Sequence, residues 1–366
     1  MSVRLTPSLD KLIEQVKQAN EQRTCLSIKG HGTKRFLGSS VKSIELSTQS
    51  LDQIISYDPS ELVVTVQAGV SLLELEALLA ESGQRLSFEP PLYMSQDIQH
   101  RGTVGGMIAS GLAGARRPWS GAVRDSVLGL HLINGRSDYL RFGGQVMKNV
   151  AGYDVSRLMV GARGCLGLIT QVSLKVQPLP QEVSYFAWDC SSSILLERYA
   201  QWQRSMSPVT GLAHDGVRAY LRLEGGKESL SLFASRNGLA RYEDDGVFWQ
   251  GLRNHTLSFF DGNPSLWRLS LPPLTDLCDE LEAASIRYLL DWAGAQYWLK
   301  SDNELLLRSI AEKYGGSIES YSNIDSNNLE KALSELASPL VLIHQRLKKA
   351  YDPNAVFNVG YMHESF

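Results

Sequence analysis

Three glycine-bearing stretches, each beside a strand pattern, constrain this chain more than any other feature. They are Lys29-Gly30-His31-Gly32-Thr33, then Gly102-Thr103-Val104-Gly105-Gly106, then Gly161, Gly164 and Gly167. Glycine allows a backbone to approach a ligand closely. It also adopts the positive φ angles that turn several N–H groups toward one anion. The first stretch follows a strand pattern at 25–28, and the Thr33 hydroxyl and the charges of Lys34 and Arg35 add to its anion-binding character. The second leads into Met107-Ile108-Ala109-Ser110-Gly111, small enough to lie flat against a large ligand. Each stretch alone reads equally as a plain turn or a tight helix–sheet contact. Together in one domain they imply a long ligand with a diphosphate, which suits a dinucleotide better than a sugar.

The surrounding pattern excludes the two commonest nucleotide folds. A Rossmann fingerprint places G-x-G-x-x-G between a first strand and a helix. Here the first loop lacks the third glycine and leads toward another strand, Ile44–Leu46. No G-x-x-x-x-G-K-[ST] run exists either. Residues 8–19 read as an amphipathic helix with Ser8 as N-cap. Leu62–Gln67 reads as a strand, and Tyr57-Asp58-Pro59-Ser60 as a turn. Ser71–Glu81 is a helix with a Ser71/Glu74 capping box, stopped by Gly83. VLGLHLI and YLRF flank Asn134-Gly135 as a hairpin, and LITQVSLKV follows the third glycine set as a strand.

Pro178 and Pro180 mark a linker, after which the texture changes. Strand-like runs (SYFAWD, VRAYLRLEG, SLSLFAS, LWRLSLP, RYLLDW, AQYWLK) alternate with helical ones (ILLERYAQWQRSM, LTDLCDELEAA, NELLLRSIAEKYG, NLEKALSELA). That predicts an antiparallel sheet with helices on one face, an α+β layer. The tail from residue 341 returns to a helix and a Pro/Asn/Gly-rich end.

Composition narrows the partners. Of 366 residues, 36 are basic and 39 acidic, for a net charge of −3, which gives no global attraction to nucleic acid or an acidic membrane. The N-terminus lacks a signal-peptide apolar core, and no run reaches the ~18 apolar residues a membrane helix needs. A cytoplasmic location is the expectation, with any membrane association made through partners. Cys25, Cys165, Cys190 and Cys278 stand far apart with no C-x-x-C, so buried free thiols are expected rather than a metal site.

The order KGHGTKRF, RGTVGGMIASGLAGARRPWSGAVRDSVLG, RFGGQVMKNVAGYDVSRLMVGARGCLGLITQVSLKVQP resembles the FAD-binding domain of the vanillyl-alcohol oxidase/PCMH type. Within that superfamily it is most similar to the FAD-binding subunits of bacterial glycolate oxidase (glycolate dehydrogenase). GARRPWSGAVRD and GGQVMKNVAGYDVSRL are the specific stretches. The resemblance covers residues 20–180 and, more weakly, the tail.

It implies an α+β protein: a PCMH-type FAD-binding domain of two α/β subdomains over 1–178, a ferredoxin-like α+β cap over 179–340, and a tail, 341–366, returning to the first domain. It implies non-covalent FAD. Lys29, Gly30, His31, Gly32 and Thr33 would meet the pyrophosphate. Gly102, Thr103, Gly105, Gly106, Ala109, Ser110, Gly111 and Gly114 would line the diphosphate, ribityl chain and ring. Ile169 would reach the adenine end through its backbone. DPNAVFNVG resembles a family closing motif that would bring Asn358 to the flavin, with Val359 where the family has proline. His31 and His100 are the candidate points for a covalent flavin link.

The implied partners are a larger flavoprotein subunit and an iron–sulfur subunit, with a small 2-hydroxy acid as substrate. Catalytic members of the family often carry cap-domain histidines and a glutamate for a metal, and a late E-H-G. This chain has isolated His214 and His255, and Ser320 rather than a histidine directly follows Glu319. No base or carboxylate clamp can be assigned. Arg116 and Arg117 read as facing a carboxylate or a partner, or as solvated surface. Asp125 and Asp154 read as anchors for Arg124 and Arg157 or as redox-site acids, and Tyr153 as packing or an acid. Three readings stay open: an FAD-binding complex subunit, a self-sufficient 2-hydroxy-acid dehydrogenase, and a structural subunit without flavin.

Overall fold

The computed structural model describes residues 6–38, 42–94, 101–144, 153–204, 207–242, 246–321 and 338–362. The chain forms two compact units. The first holds residues 1–112, 122–178 and 323–366; the second holds 113–121 and 179–322.

The first unit opens with the helix Pro7–Gln22, capped by Thr6 and not by Ser8: the Thr6 hydroxyl accepts from Leu9 N at 3.4 Å. Pro7 explains the shift, since its missing N–H and fixed φ suit the first helical position. Leu9, Leu12, Val16 and Ala19 form the buried face. β1 (Leu26–Lys29) and β2 (Ile44–Ser47) pair in parallel. β3 (Ile54–Asp58), missed in the sequence, pairs antiparallel with β4 (Val63–Gln67). β5 (Gln84–Arg85), β6 (Val127–Ile133), β7 (Tyr139–Gly143), β8 (Leu168–Lys175) and β9 (Gln177–Pro178) complete the unit. A five-stranded sheet runs in the order β3-β4-β8-β6-β7, all antiparallel. The hairpin at Asn134-Gly135 forms, with Ile133 opposite Tyr139.

The helix Leu72–Glu81 begins at Ser71, but the capping box is absent: Ser71 makes no side-chain cap bond. The backbone instead ties this end to the second glycine stretch. Ser71 bridges Thr103, and Leu72 N donates to Gly102 O at 3.0 Å. That stretch contains a helix the sequence reading missed, Val104–Ser110, burying Val104, Met107 and Ile108. Thr103 caps it through Gly106 N at 3.2 Å, and Gly111 ends it at φ +63°. A Cβ on Gly105 would lie 2.8 Å from the Ala68 Cβ, so glycine permits this close seat at the end of β4.

The tail closes the unit. Lys348 Nζ, buried in the helix Ser338–Tyr351, donates to Asp352 Oδ2, Cys165 O and Phe357 O, each at 2.7 Å. Asp352 also accepts from Val356 N and Phe357 N. The carboxylate thus folds the Asp352–Phe357 turn around itself. Phe357 then bridges Leu26 of β1, in a core with Leu12, Val16, Leu46 and Leu168.

The second unit is built on a seven-stranded antiparallel sheet, β10 (Glu182–Asp189), β12 (Arg218–Gly225), β11 (Val209–His214), β14 (Arg287–Asp291), β15 (Gln296–Lys300), β13 (Leu266–Ser270) and β16 (Ser317–Ser320) in spatial order. SLSLFAS is helical, not a strand: it lies in the helix Lys227–Arg236. Its alternation imitates a strand, but Leu230, Phe233 and Ala234 reach one core at helical spacing while Leu232 stays exposed. Helices also cover both sheet faces, against the expectation of one. Ala219, Leu221 and Leu223 of β12 pack with Leu195, Tyr199 and Trp202. The alternate residues meet the helix Val247–Asn254, where Tyr220 stacks on Phe248 at 3.5 Å and Arg222 sits over Trp249.

Ala113–Gly121 packs within this unit. Arg116 pairs with Glu224 at 2.8 Å with both side chains largely buried, and Arg117 lies over the Trp292 ring. Both arginines are thus engaged by side chains of this unit. The helix expected at 328–337 and the segment 145–152 lie outside the described residues. Among the described residues, no helix is long and apolar enough to cross a membrane.

Candidate functional site

The first unit contains a cleft of about 520 Å³, within the usual range for a small-molecule site. One wall is the turn after β1: Lys29, Gly30, His31, Gly32, Thr33, Lys34 and Arg35. Facing it are Gly102, Thr103, Gly106, Ala109 and Ser110, from the helix Val104–Ser110 and the loop before it. Asn358 and Tyr361 of the tail, and Arg163 of the third glycine set, close the end. A narrower slot of about 70 Å³ shares Ile28, Gly30, Gly106, Ala109, Arg163 and Asn358 with it, and adds Thr48, Gly105, Gly164, Gly167 and Ile169. The groove is therefore long, cationic at its wide end and lined by small residues at its narrow one.

Glycine at position 30 is a steric requirement. A Cβ there would strike the Thr103 hydroxyl and lie 2.9 Å from its Cγ2, so the first two loops touch only because this side chain is missing. Asn358 fastens the third loop. It holds φ +41°, accepts from Ile28 N at 2.8 Å and donates to Arg163 O at 2.7 Å.

The charges are unevenly neutralised. Glu45 of β2 holds Lys29 at 2.8 Å and Arg35 at 3.6 Å. Arg163 donates through Nη1 to Leu37 O. Lys34 has no ion pair among the described residues, lies 3.5 Å from the Thr33 hydroxyl, and burial lowers its pKa to about 8. Lys34, Lys29 and Arg35 offer more positive charge than Glu45 offsets, and small residues leave the backbone accessible. These features suit an elongated ligand with a diphosphate.

Most residues singled out from the sequence converge here; two do not. Gly111 ends its helix against Gly161, and its Cβ would lie 3.2 Å from the Gly161 Cα. Gly114 sits in the second unit, its carbonyl accepting from Trp292 Nε1 at 3.0 Å. Arg163, Glu45 and Tyr361 were missed. Arg163 carried a signal, a cation between Gly161 and Gly164; Glu45 and Tyr361 had none, being brought in by pairing and by tail docking.

The remaining candidates have structural duties. Asp154 caps the short helix Val155–Leu158 through Arg157 N and pairs with the Arg157 side chain at 3.2 Å. Asp125 accepts from Ala122 N at 2.8 Å. Tyr153 is 98% exposed, so it is not a packing residue. His214 is buried, with Nε2 on Cys190 O at 2.8 Å and Nδ1 accepting from Gly216 N at 3.1 Å, which requires the neutral Nε2–H tautomer. His255 stacks on Phe260 at 4.0 Å, and burial with the nearby Arg268 charge lowers its pKa to about 3. Among the described residues, no three His, Cys, Asp or Glu side chains gather to hold a metal. His100 lies outside the described residues. Cys165 and Cys278 are buried free thiols, while Cys25 and Cys190 are free and half-buried.

Residues 3–143 match the family described as FAD binding domain. The chain is 44% identical over 358 residues to glycolate oxidase subunit GlcE of Escherichia coli strain K12, covering 96% of each chain. It is 31% identical to a D-lactate dehydrogenase of Archaeoglobus fulgidus, covering 94% of this chain and 87% of that one. A solved structure of alkyldihydroxyacetonephosphate synthase superposes with a TM-score of 0.67 at 16% identity, covering 95% of this chain and 74% of the synthase, and carries the fold alone. Glycine loops, cationic cleft and end-to-end sequence likeness agree: the chain belongs to the family of the glycolate oxidase subunit GlcE, flavoproteins of the FAD-binding type.

Proposed function

We propose that this chain is the FAD-binding subunit of a glycolate oxidase (glycolate dehydrogenase) complex that oxidises glycolate, a small 2-hydroxy acid, to glyoxylate. The observation that carries this reading is the joining of a cationic, glycine-walled cleft to 44% identity across 96% of a glycolate oxidase subunit. FAD, held non-covalently, would supply the hydride-accepting chemistry. The chain's own residues would bind and orient it. Lys34 and the turn at Gly30–Thr33 would meet the diphosphate. Thr103 and Gly106 would face it across the cleft, and Asn358 and Ile169 would bound the narrow slot.

A larger flavoprotein subunit and an iron–sulfur subunit are the proposed partners, with the substrate oxidised mainly on the partner flavoprotein. Supporting this division, His214 and His255 are committed to backbone and aromatic contacts and are not free to take a proton from a substrate hydroxyl. Any attachment to a membrane would come through partners, the chain itself residing in the cytoplasm. The second reading, a self-sufficient dehydrogenase, draws on the likeness to the D-lactate dehydrogenase over most of the chain.

The test is the visible spectrum of the isolated chain before and after anaerobic glycolate or D-lactate. A flavin spectrum that stays oxidised, and bleaches only once partners are added, is expected. Bleaching by the lone chain would establish the second reading. A folded, colourless chain that rejects added FAD would leave a structural subunit.

A further inference from the structure

Among the described residues, the cleft cation Lys34 has no ion pair. Lys34 lines the groove with Gly30 and Thr103, and its Nζ packs over Gly102, where a Cβ would lie 3.2 Å from it. Its neighbours do not neutralise it. On its own loop, Thr33 offers a hydroxyl at 3.5 Å, while Lys29 and Arg35 are cations. Glu45 of β2 is held by those two. Tyr93 presents its ring face 6.0 Å away, and Arg101 donates to Leu92 O. His31 lines the same wall; Arg163 and Tyr361 stand at the end of the cleft.

We propose that binding of the cofactor's diphosphate is coupled to proton uptake by Lys34, so that the cleft holds its cofactor by charging this lysine. The inference rests on the FAD reading and deepens it. In the free protein, burial disfavours the ammonium form, lowering the pKa to about 8. A diphosphate oxygen brought beside Nζ favours that form again. Below pH 8 Lys34 is already charged and no proton is taken up. Above pH 8 each binding event must draw one from solvent, and affinity falls as pH rises. If the bound lysine returns to its ordinary range of about 10.5, affinity weakens roughly twentyfold between pH 7.5 and 9.5.

The experiment titrates FAD into the apo full-length chain from pH 6.5 to 9.5, following flavin fluorescence. Calorimetry at pH 9 in two buffers of different ionisation enthalpy counts protons. The proton count at pH 9 lies well above the ordinary imidazole range of about 6.5, which separates Lys34 from His31. Wild type is expected to take up close to one proton at pH 9. Lys34→Arg, which keeps its charge, is expected to bind FAD with pH-independent affinity and no uptake. Lys34→Met is expected to bind at least tenfold more weakly at pH 7 and to lose the pH dependence. Wild type binding without uptake, or uptake persisting in Lys34→Arg, overturns the inference while leaving FAD binding intact. A folded apo chain that binds no FAD at any pH overturns both the cofactor reading and this one.

Discussion

Asn358 and Arg163, 195 residues apart in sequence, are joined by a 2.7 Å hydrogen bond from the Asn358 amide to the Arg163 carbonyl. The same amide oxygen accepts from Ile28 N at 2.8 Å, so one side chain aligns β1, the third glycine loop and the tail. Asn358→Ala leaves a buried donor and acceptor unmet at a cost of about 1–3 kcal/mol. Urea denaturation should show that loss, and FAD affinity should fall with it. Asn358→Asp should bind more weakly still, because a carboxylate oxygen would face the Arg163 carbonyl.

Gly30 is predicted to be intolerant of any side chain. Gly30→Ala drives a methyl into Thr103, which cannot rotate away without releasing Gly106 N and the start of its helix. Flavin content should drop sharply while the circular dichroism spectrum stays near wild type. Flavin retained at wild-type stoichiometry would contradict this close approach.

Lys348 and Asp352 form a buried pair at 2.7 Å. Removing one partner strands the other away from water, a change of about 3–5 kcal/mol. Lys348→Met should therefore lower the melting temperature markedly, and Asp352→Leu should do the same. The double variant should recover part of the loss, since neither charge then remains buried alone.

Glu224 receives Arg116 at 2.8 Å and Arg222 at 3.5 Å. Glu224→Gln leaves two buried cations facing each other at a cost of about 3–5 kcal/mol. Arg116→Met leaves Arg222 beside the carboxylate and should cost less, roughly 1–2 kcal/mol. Equilibrium unfolding that reverses this order would show that Arg222 does not support Glu224.

Burial pushes the Cys165 thiol up to about 11 and the Cys278 thiol up to about 12. Both should resist iodoacetamide at pH 8, because the thiol and not the thiolate is present. The sign for stability follows. Each pKa is raised above its unfolded value near 9, so stability is lost as pH climbs from 9 through 11 and 12. Mass spectrometry after native labelling should find these two cysteines unmodified until the chain unfolds.

The sequence revealed elements whose pattern is local. The hairpin at Asn134-Gly135 was legible because the turn residues and the flanking apolar runs agree. The first two glycine stretches were legible because Gly30 and Gly105 sit where a Cβ would clash and Gly32 and Gly102 hold positive φ. The helix Lys227–Arg236 was not, since four residues of S-L-S-L fit either period and a distant core decided between them. Thr6 displaced Ser8 as the cap because Pro7 set the helix start. Glu45 and Tyr361 entered the cleft through strand pairing and tail docking, and long-range contacts of that kind leave no periodic trace.

The return of the tail to β1 also sets an order of assembly. Leu26 pairs with Phe357, and Asn358 forms part of the cleft wall. During synthesis, the strand that leads into the first glycine turn is made long before its partner. The cleft therefore cannot be finished until Asn358 has emerged from the ribosome. A product cut short before Asn358 would lack that wall and the clamp between Ile28 and Arg163, so a complete groove certifies that translation has passed this residue.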